Sequence, residues 1–498
     1  MKKLSILGVV ALLLLGLSAT AMSADLKVYG KWMIDAAWRE NNDFLGGPTG
    51  EDKEFDVQQR IDTGFQFIAN ENLKAVLELR IGTAAWGNGL YSVGAGRSGS
   101  TAAPDNTGAN QAGYGNIMLR KGYLDFNWPG SKVNFKVGYQ PITLPAAFGG
   151  GSAIFEDFVA GAMVTTPITD NIKVTAGYAR PFESQTFGSA TSISGSGTAA
   201  DMALLAVPID FKGFNITPFG AYMNAGKDSR GANSGVTGLA GFYSPNSTAT
   251  AGVRAYWTGV AFTMTALEPF KVMADFNYGT ATWNNNAAAH TDGGRSGYLF
   301  DIAVDYTGLK FMTPELFFVY TSGENGNSSK GSGKSERMPI VAVPMNWSPG
   351  GFFFGDRDFM YGFGAQGGYT DRELGFWTVG LALKDISFID KLSHRINIIY
   401  VKGTNDPDFL KETSRGTNVA NSNNYGAFLT DKDSLWEFDL NTKYKIYDQL
   451  SVNLNLGYIN ADFDKNAWGS SSLAQHNLYR AYGSKDAYRA GLNLTYAF

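Results

Sequence analysis

Long segments in which every second residue is apolar recur through this chain, and that period of two restricts its fold more than any other feature. From Asp25 onward, Leu26, Val28, Gly30, Trp32, Ile34, Ala36 and Trp38 fall on one face, with Lys27, Tyr29, Lys31, Met33, Asp35, Ala37 and Arg39 on the other. Only an extended strand separates the two sets. The alternation returns at Leu73, Ala75, Leu77, Leu79 and Ile81, at Val133, Phe135, Val137 and Tyr139, at Trp436, Phe438 and Leu440, and at Val452, Leu454, Leu456 and Tyr458. These runs are longer than the roughly 5–6 residues usual in soluble strands and match the 9–11 or so of a strand crossing a bilayer.

The connections are as regular as the strands. Tight-turn signals stand at Asn70-Glu71-Asn72, Pro129-Gly130, Asp170-Asn171, Lys212-Gly213, Glu268-Pro269, Gly308-Leu309, Asp390-Lys391 and Asp448-Gln449. Long polar or glycine-rich connections fall near 40–54, 85–115, 141–158, 182–200, 224–250, 284–295, 321–371, 403–432 and 464–485. Eight short turns alternating with nine long loops predict 18 strands, with 16 left open because the segments at 200–211 and 374–389 are weak. Short turns on one rim and long loops on the other are the pattern of an outer-membrane, up-and-down antiparallel β-barrel. The barrel has to close, because an unpaired backbone group in hydrocarbon costs several kcal/mol.

Composition agrees and removes other classes. Among 498 residues there are 61 glycines, 34 Phe, 24 Tyr and 10 Trp, no cysteine, and 17% charged residues. The missing thiols exclude cysteine catalysis and cysteine-held metal centres. A net charge of −4 offers no basic footprint for nucleic acid. Lys2 and Lys3, the apolar run Leu4 to Leu17 and the small residues at Ala19-Thr20-Ala21 or Ala21-Met22-Ser23 predict a cleaved export signal over 1–23. The single barrel domain then occupies 24–498. The last strand alternates from Tyr488 to Phe498, and its ending on Tyr496 and Phe498 resembles the signal read by the barrel-assembly machinery.

Between Phe55 and Glu183 the pieces Ile81-Gly82-Thr83-Ala84-Ala85-Trp86-Gly87, Lys121-Gly122-Tyr123-Leu124-Asp125-Phe126, Val137-Gly138-Tyr139-Gln140-Pro141 and Ala179-Arg180-Pro181-Phe182 carry a family likeness. The chain there resembles the homotrimeric outer-membrane porins of sulfate-reducing bacteria. That resemblance implies a passive diffusion channel and a homotrimer. It also implies that the loop after the fifth strand, Pro141 to Phe158, folds into the barrel as a constriction. Glu156 and Asp157 near its end would then set acid opposite a basic wall.

Strand phase alone predicts the wall, since polar faces of spanning strands turn to the lumen. Its candidates are Lys31 and Asp35, Arg60 and Asp62, Glu78 and Arg80, then Lys121, Tyr123 and Asp125, and Lys136. Fixed charges so placed select solutes by charge and dipole without chemistry. Inward aromatics are expected to be few, chiefly Tyr29 and Tyr123. Loop 85–115 fits a latch on a neighbouring subunit. Phe352-Phe353-Phe354 is too apolar for a free loop, and Asp356 and Asp358 leave open a calcium site that lacks further oxygen ligands. His290, His394 and His476 lie far apart, so no catalytic or metal spacing emerges, and no cofactor is expected. The expected function is a water-filled outer-membrane porin for small hydrophilic solutes. A substrate-selective channel is the nearer alternative, and a barrel adhesin or enzyme working through its loops the more distant one.

Overall fold

The computed structural model describes residues 24–41, 44, 53–87, 117–183, 199–226, 252–283, 293–326, 336–341, 347–349, 375–408, 429–468 and 484–498. The expected export signal lies outside these residues. So do most of loop 85–115, the Phe352–Asp358 cluster, His290 and His476.

Strands form wherever the sequence alternates. The first seven are β1 (Asp25–Glu40), β2 (Lys53–Asn70), β3 (Leu73–Ala85), β4 (Ile117–Asn127), β5 (Asn134–Thr143), β6 (Glu156–Pro167) and β7 (Lys173–Glu183). Next come β8 (Ala199–Ala206), β9 (Ile209–Phe211), β10 (Phe214–Ala225), β11 (Val253–Leu267), β12 (Phe270–Trp283) and β13 (Gly293–Tyr306). The last are β14 (Thr313–Thr321), β15 (Phe376–Ile389), β16 (Leu392–Gly403), β17 (Ser434–Lys445), β18 (Leu450–Asp462) and β19 (Ala487–Ala497). Both β8 and β9 pair with β10, so they are two parts of one crossing. Val207-Pro208 divides them, because a proline has no N–H to give to the ladder. Each crossing is antiparallel to the next, and β1 pairs with β19 from Lys31↔Ala497 to Glu40↔Tyr488. The result is a closed antiparallel barrel of 18 crossings, with the short turns on one rim and the long loops on the other.

The exterior is a belt bounded by aromatics. Near the long-loop rim Tyr222 packs on Tyr256 at 4.8 Å, Tyr298 on Tyr320 at 5.6 Å, Tyr400 on Trp436 at 5.0 Å and Tyr458 on Tyr488 at 5.1 Å. Near the short-turn rim Phe126 stacks on Phe135, Phe270 meets Tyr306 and Tyr496 stacks on Phe498. On β19 the two girdles are the eight-residue step from Tyr488 to Tyr496, which for a tilted strand is about 20 Å of height. Between them project Leu205, Leu316, Leu381 and Leu492, all exposed. Such a surface suits hydrocarbon, with rings at its two interfaces. No helix among the described residues is long and apolar enough to cross a membrane.

The inward face departs from the expectation that it would be polar throughout. From β7 to β16, toward the long-loop rim, the inward side chains include Met202, Met223, Trp257, Phe317, Phe376 and Ile399, all buried. They pack in one apolar cluster with Ile142, Leu144, Phe148, Ile154 and Phe155 of the β5–β6 connection and with Met338, Ile340, Val341 and Trp347. Inward aromatics are therefore more numerous than Tyr29 and Tyr123. The physical reason is that folded-in loops, rather than water, cover this part of the wall.

Candidate functional site

The β5–β6 connection is held inside the barrel by an identifiable clamp. The Ala147 amide donates to both carboxylate oxygens of Asp275, at 2.8 and 2.9 Å, and the Phe148 amide donates to Asp275 Oδ2 at 2.9 Å. Asp275 is on β12, across the lumen from β5, and is 2% exposed. The Phe148 ring then meets Phe317 of β14 at 5.4 Å. Gly149 and Gly150 turn the chain back with φ of 79° and 82°. A side chain on Gly149 would strike the Trp347 indole, so the second inward segment lies directly on the loop. Two backbone hydrogen bonds fasten the layers, Val341 N–H to Ile154 O at 2.9 Å and Ser348 N–H to Gly149 O at 2.7 Å. Trp257 of β11 adds its indole N–H to Pro339 O at 2.7 Å.

The other side of the lumen, on β2 to β4, carries a compact ion network. Arg80 forks onto Asp62 through Nε at 2.7 Å and Nη2 at 2.9 Å, and Arg120 Nη1 reaches the same carboxylate at 2.8 Å. Arg60 Nε is 3.5 Å from Asp62. Glu78 accepts from Lys121 Nζ at 2.6 Å and from Tyr29 Oη at 3.0 Å. Four cations thus gather about two carboxylates, which fixes long side chains in charge-assisted bonds. Arg120 was not among the sequence candidates. A β-bulge between Glu78 and Leu79 in the β3–β4 register turns both Arg120 and Lys121 inward, which strict alternation forbids.

Acid gathers half a barrel away, on β12 to β14. Asp275, Asp301, Asp305 and Glu315 all face inward and are buried. Lys384 holds two of them, Asp305 at 2.6 Å and Glu315 at 2.7 Å. The two arcs thus differ in make-up: four cations share two carboxylates on β2–β4, whereas on β12–β14 Asp305 and Glu315 share the single ammonium of Lys384.

The other sequence candidates fall as follows. Asp35 is buried on the inward face of β1, one strand from Arg60. Lys31, on the same face, is exposed toward the short-turn rim. Tyr123 and Asp125 face inward on β4, where Asp125 is 3.4 Å from Lys74. Lys136 is exposed on β5. Glu156 and Asp157 open β6, two strands from β4 and on the same side of the barrel as the cations. Glu156 is buried with its carboxylate against Gly151. Asp157 sits within the field of Arg120, whose guanidinium lies 4.5 Å over the Phe158 ring. Tyr496 and Phe498 point outward at the short-turn rim. His394 hydrogen-bonds Thr442 at 2.9 Å within β16 and β17. No group of three or more potential metal ligands converges among the described residues.

No family model matches the chain, and no curated protein matches it significantly. Several solved barrels are similar in outline. Pseudomonas aeruginosa OccK8 (OprE) is 11% identical with a TM-score of 0.48, over 95% of this chain and 98% of that one. The outer membrane protein OprD of Pseudomonas aeruginosa is 13% identical at 0.48, over 96% and 97%. Acinetobacter baumannii OccAB1 is 12% identical at 0.49, over 97% and 99%. At such identities and scores the barrel described above rests on its own strand pairing, and the chain is placed by its architecture as a closed 18-crossing antiparallel barrel with a loop clamped across its lumen.

Proposed function

We propose that this chain is an outer-membrane channel through which small hydrophilic solutes diffuse passively beside the charged wall of β1 to β5. The observation that carries this reading is the Asp275 clamp, which lays an apolar loop against one half of the lumen and leaves the ionic half lined by polar side chains. A narrowed passage with fixed charges along one wall discriminates among solutes, so the reading is a selective channel rather than a wide, unselective pore. On this reading the short-turn rim is periplasmic and the long-loop rim external, Tyr496 and Phe498 serve the assembly machinery, and residues 1–23 are removed on export. The homotrimer implied by the sequence likeness belongs to the same proposal.

Planar-bilayer recording of the purified protein tests it. Stable openings support a channel, and their grouping in threes or singly reads the oligomeric state. A protein that inserts without conducting would overturn the reading in favour of an adhesin or a loop-borne enzyme.

A further inference from the structure

The inward face of β16 to β19 forms a second polar region, toward the short-turn rim and away from the Arg80–Asp62 network. It encloses a recess of about 630 Å³. Its floor is a checkerboard set by register. Arg395, Asn441, Asn455 and Gly491 make one row, and Lys443, Asn453 and Asn493 the next. Lys445, Ser451 and Thr495 complete it, with Lys31 entering from β1. The spacing of neighbouring strands, about 4.8 Å, keeps Lys445 and Lys31 within about 15 Å of each other, so both can lean over one solute.

Two kinds of group in this recess lack partners. The side-chain amides of Asn441 and Asn455 make no hydrogen bond among the described residues, whereas Asn453 donates to Asn493 at 3.2 Å. Lys31, Lys443 and Lys445 have no ion-pair partner among the described residues. Lys384, at the edge, is held by Asp305 and Glu315 and is spoken for. Setting it aside, Lys31, Arg395, Lys443 and Lys445 stand with the lining carboxylates Asp385 and Asp448, and Asp35 of β1 ends the Lys443–Asn453–Asn493 row opposite Asn493. Gly491 keeps the floor open, because a Cβ there would touch nothing closer than 3.9 Å.

From this juxtaposition we infer that the recess is a transit site for a polyhydroxylated phosphate monoester, a sugar phosphate in chemical class. The three lysines without an ion-pair partner among the described residues match a dianion, which a phosphate monoester is near pH 7. Amides with free donors and acceptors match vicinal hydroxyls. Exposed lysines act as mobile point charges, which favours weak holding and release over tight capture. The inference rests on the channel reading above.

The test is glucose 6-phosphate added at the short-turn side of channels reconstituted in planar bilayers, with inorganic phosphate and glucose at equal concentration as comparison probes. Glucose 6-phosphate should interrupt the current at concentrations about tenfold below those needed for either comparison probe. The double variant Lys443→Gln/Lys445→Gln should weaken that block about tenfold while open-channel conductance shows the barrel intact. Should that variant not conduct, Lys31→Gln carries the same expectation at a smaller size. Asn441→Leu/Asn455→Leu should abolish the preference for glucose 6-phosphate over inorganic phosphate and leave the phosphate response alone. Equal block by glucose 6-phosphate and inorganic phosphate in the wild type, or block untouched by the lysine variants, would overturn the inference with the channel reading standing. Absence of wild-type conductance would overturn the channel reading itself.

Discussion

The two sides of this lumen solve the same problem of lining a cylinder in opposite ways. On β2 to β4 the inward residues are charged and satisfy one another in the Arg60, Arg80, Arg120 and Lys121 network around Asp62 and Glu78. On β10 and β11 the inward residues are Phe219, Met223, Val253 and Trp257, covered by loops that enter from the rim. On the ionic arc Arg60, Asp62 and Glu78 are buried too, and fixed counter-charges at ion-pair distance serve them. An apolar wall needs a covering, and burying it contributes about 25 cal/mol per Å² removed from water. The contrast teaches that one arc of the barrel carries charge on its inward face, while another is a core turned inside out.

The largest effect should come from breaking the clamp that separates the two sides. Asp275→Ala leaves the amides of Ala147 and Phe148 without an acceptor, at a cost of about 1–3 kcal/mol each if they stay buried. The loop should swing free, and single-channel conductance should rise severalfold with easier proteolysis of the 141–158 segment. Unchanged conductance would mean that the loop does not limit the passage. Gly149→Val should act in the same direction but less. Its positive φ costs a β-branched residue about 1–3 kcal/mol, and its side chain displaces Trp347. Lower thermal stability of the folded barrel on heated gels checks it.

Charge variants sharpen the comparison without opening the pore. Arg80→Gln/Arg120→Gln removes two cations from the ionic wall and should move reversal potentials in a salt gradient toward cation preference by tens of millivolts, as about 2.3 kcal/mol per charge per 100 mV implies for modest changes in barrier. Glu156→Gln/Asp157→Asn should give the smallest change, a slight move toward anions. Glu156 is packed on Gly151, and Asp157 stands beside the cations rather than facing them across the passage. A shift larger than that of the arginine pair would put these two carboxylates at the narrowest point after all.

Much of the barrel was legible because its information is local. Period-two patterning and the punctuation at Lys212-Gly213 or Asp390-Lys391 place strands and turns within a few residues, and even the weak segments at 200–211 and 374–389 are crossings. The interior was harder to read. On β10, Phe219, Ala221 and Met223 alternate with Gly220, Tyr222 and Asn224, so hydrophobicity alone does not tell the lumen side from the lipid side. The Arg120 position needed a bulge that no spacing announces. The partnership of Ala147 with Asp275 joins residues 128 apart, beyond the reach of any sequence window.

Gly30 N–H donates to Phe498 O at 2.9 Å and Phe498 N–H returns to Gly30 O at 3.1 Å, so the β1–β19 seam continues one residue past the Lys31↔Ala497 pair. Without the β1–β19 pairing, both margins of the sheet would carry bare peptide groups able to pair with another polypeptide. Closing this one seam therefore turns a sheet with two association-prone margins into a ring with none.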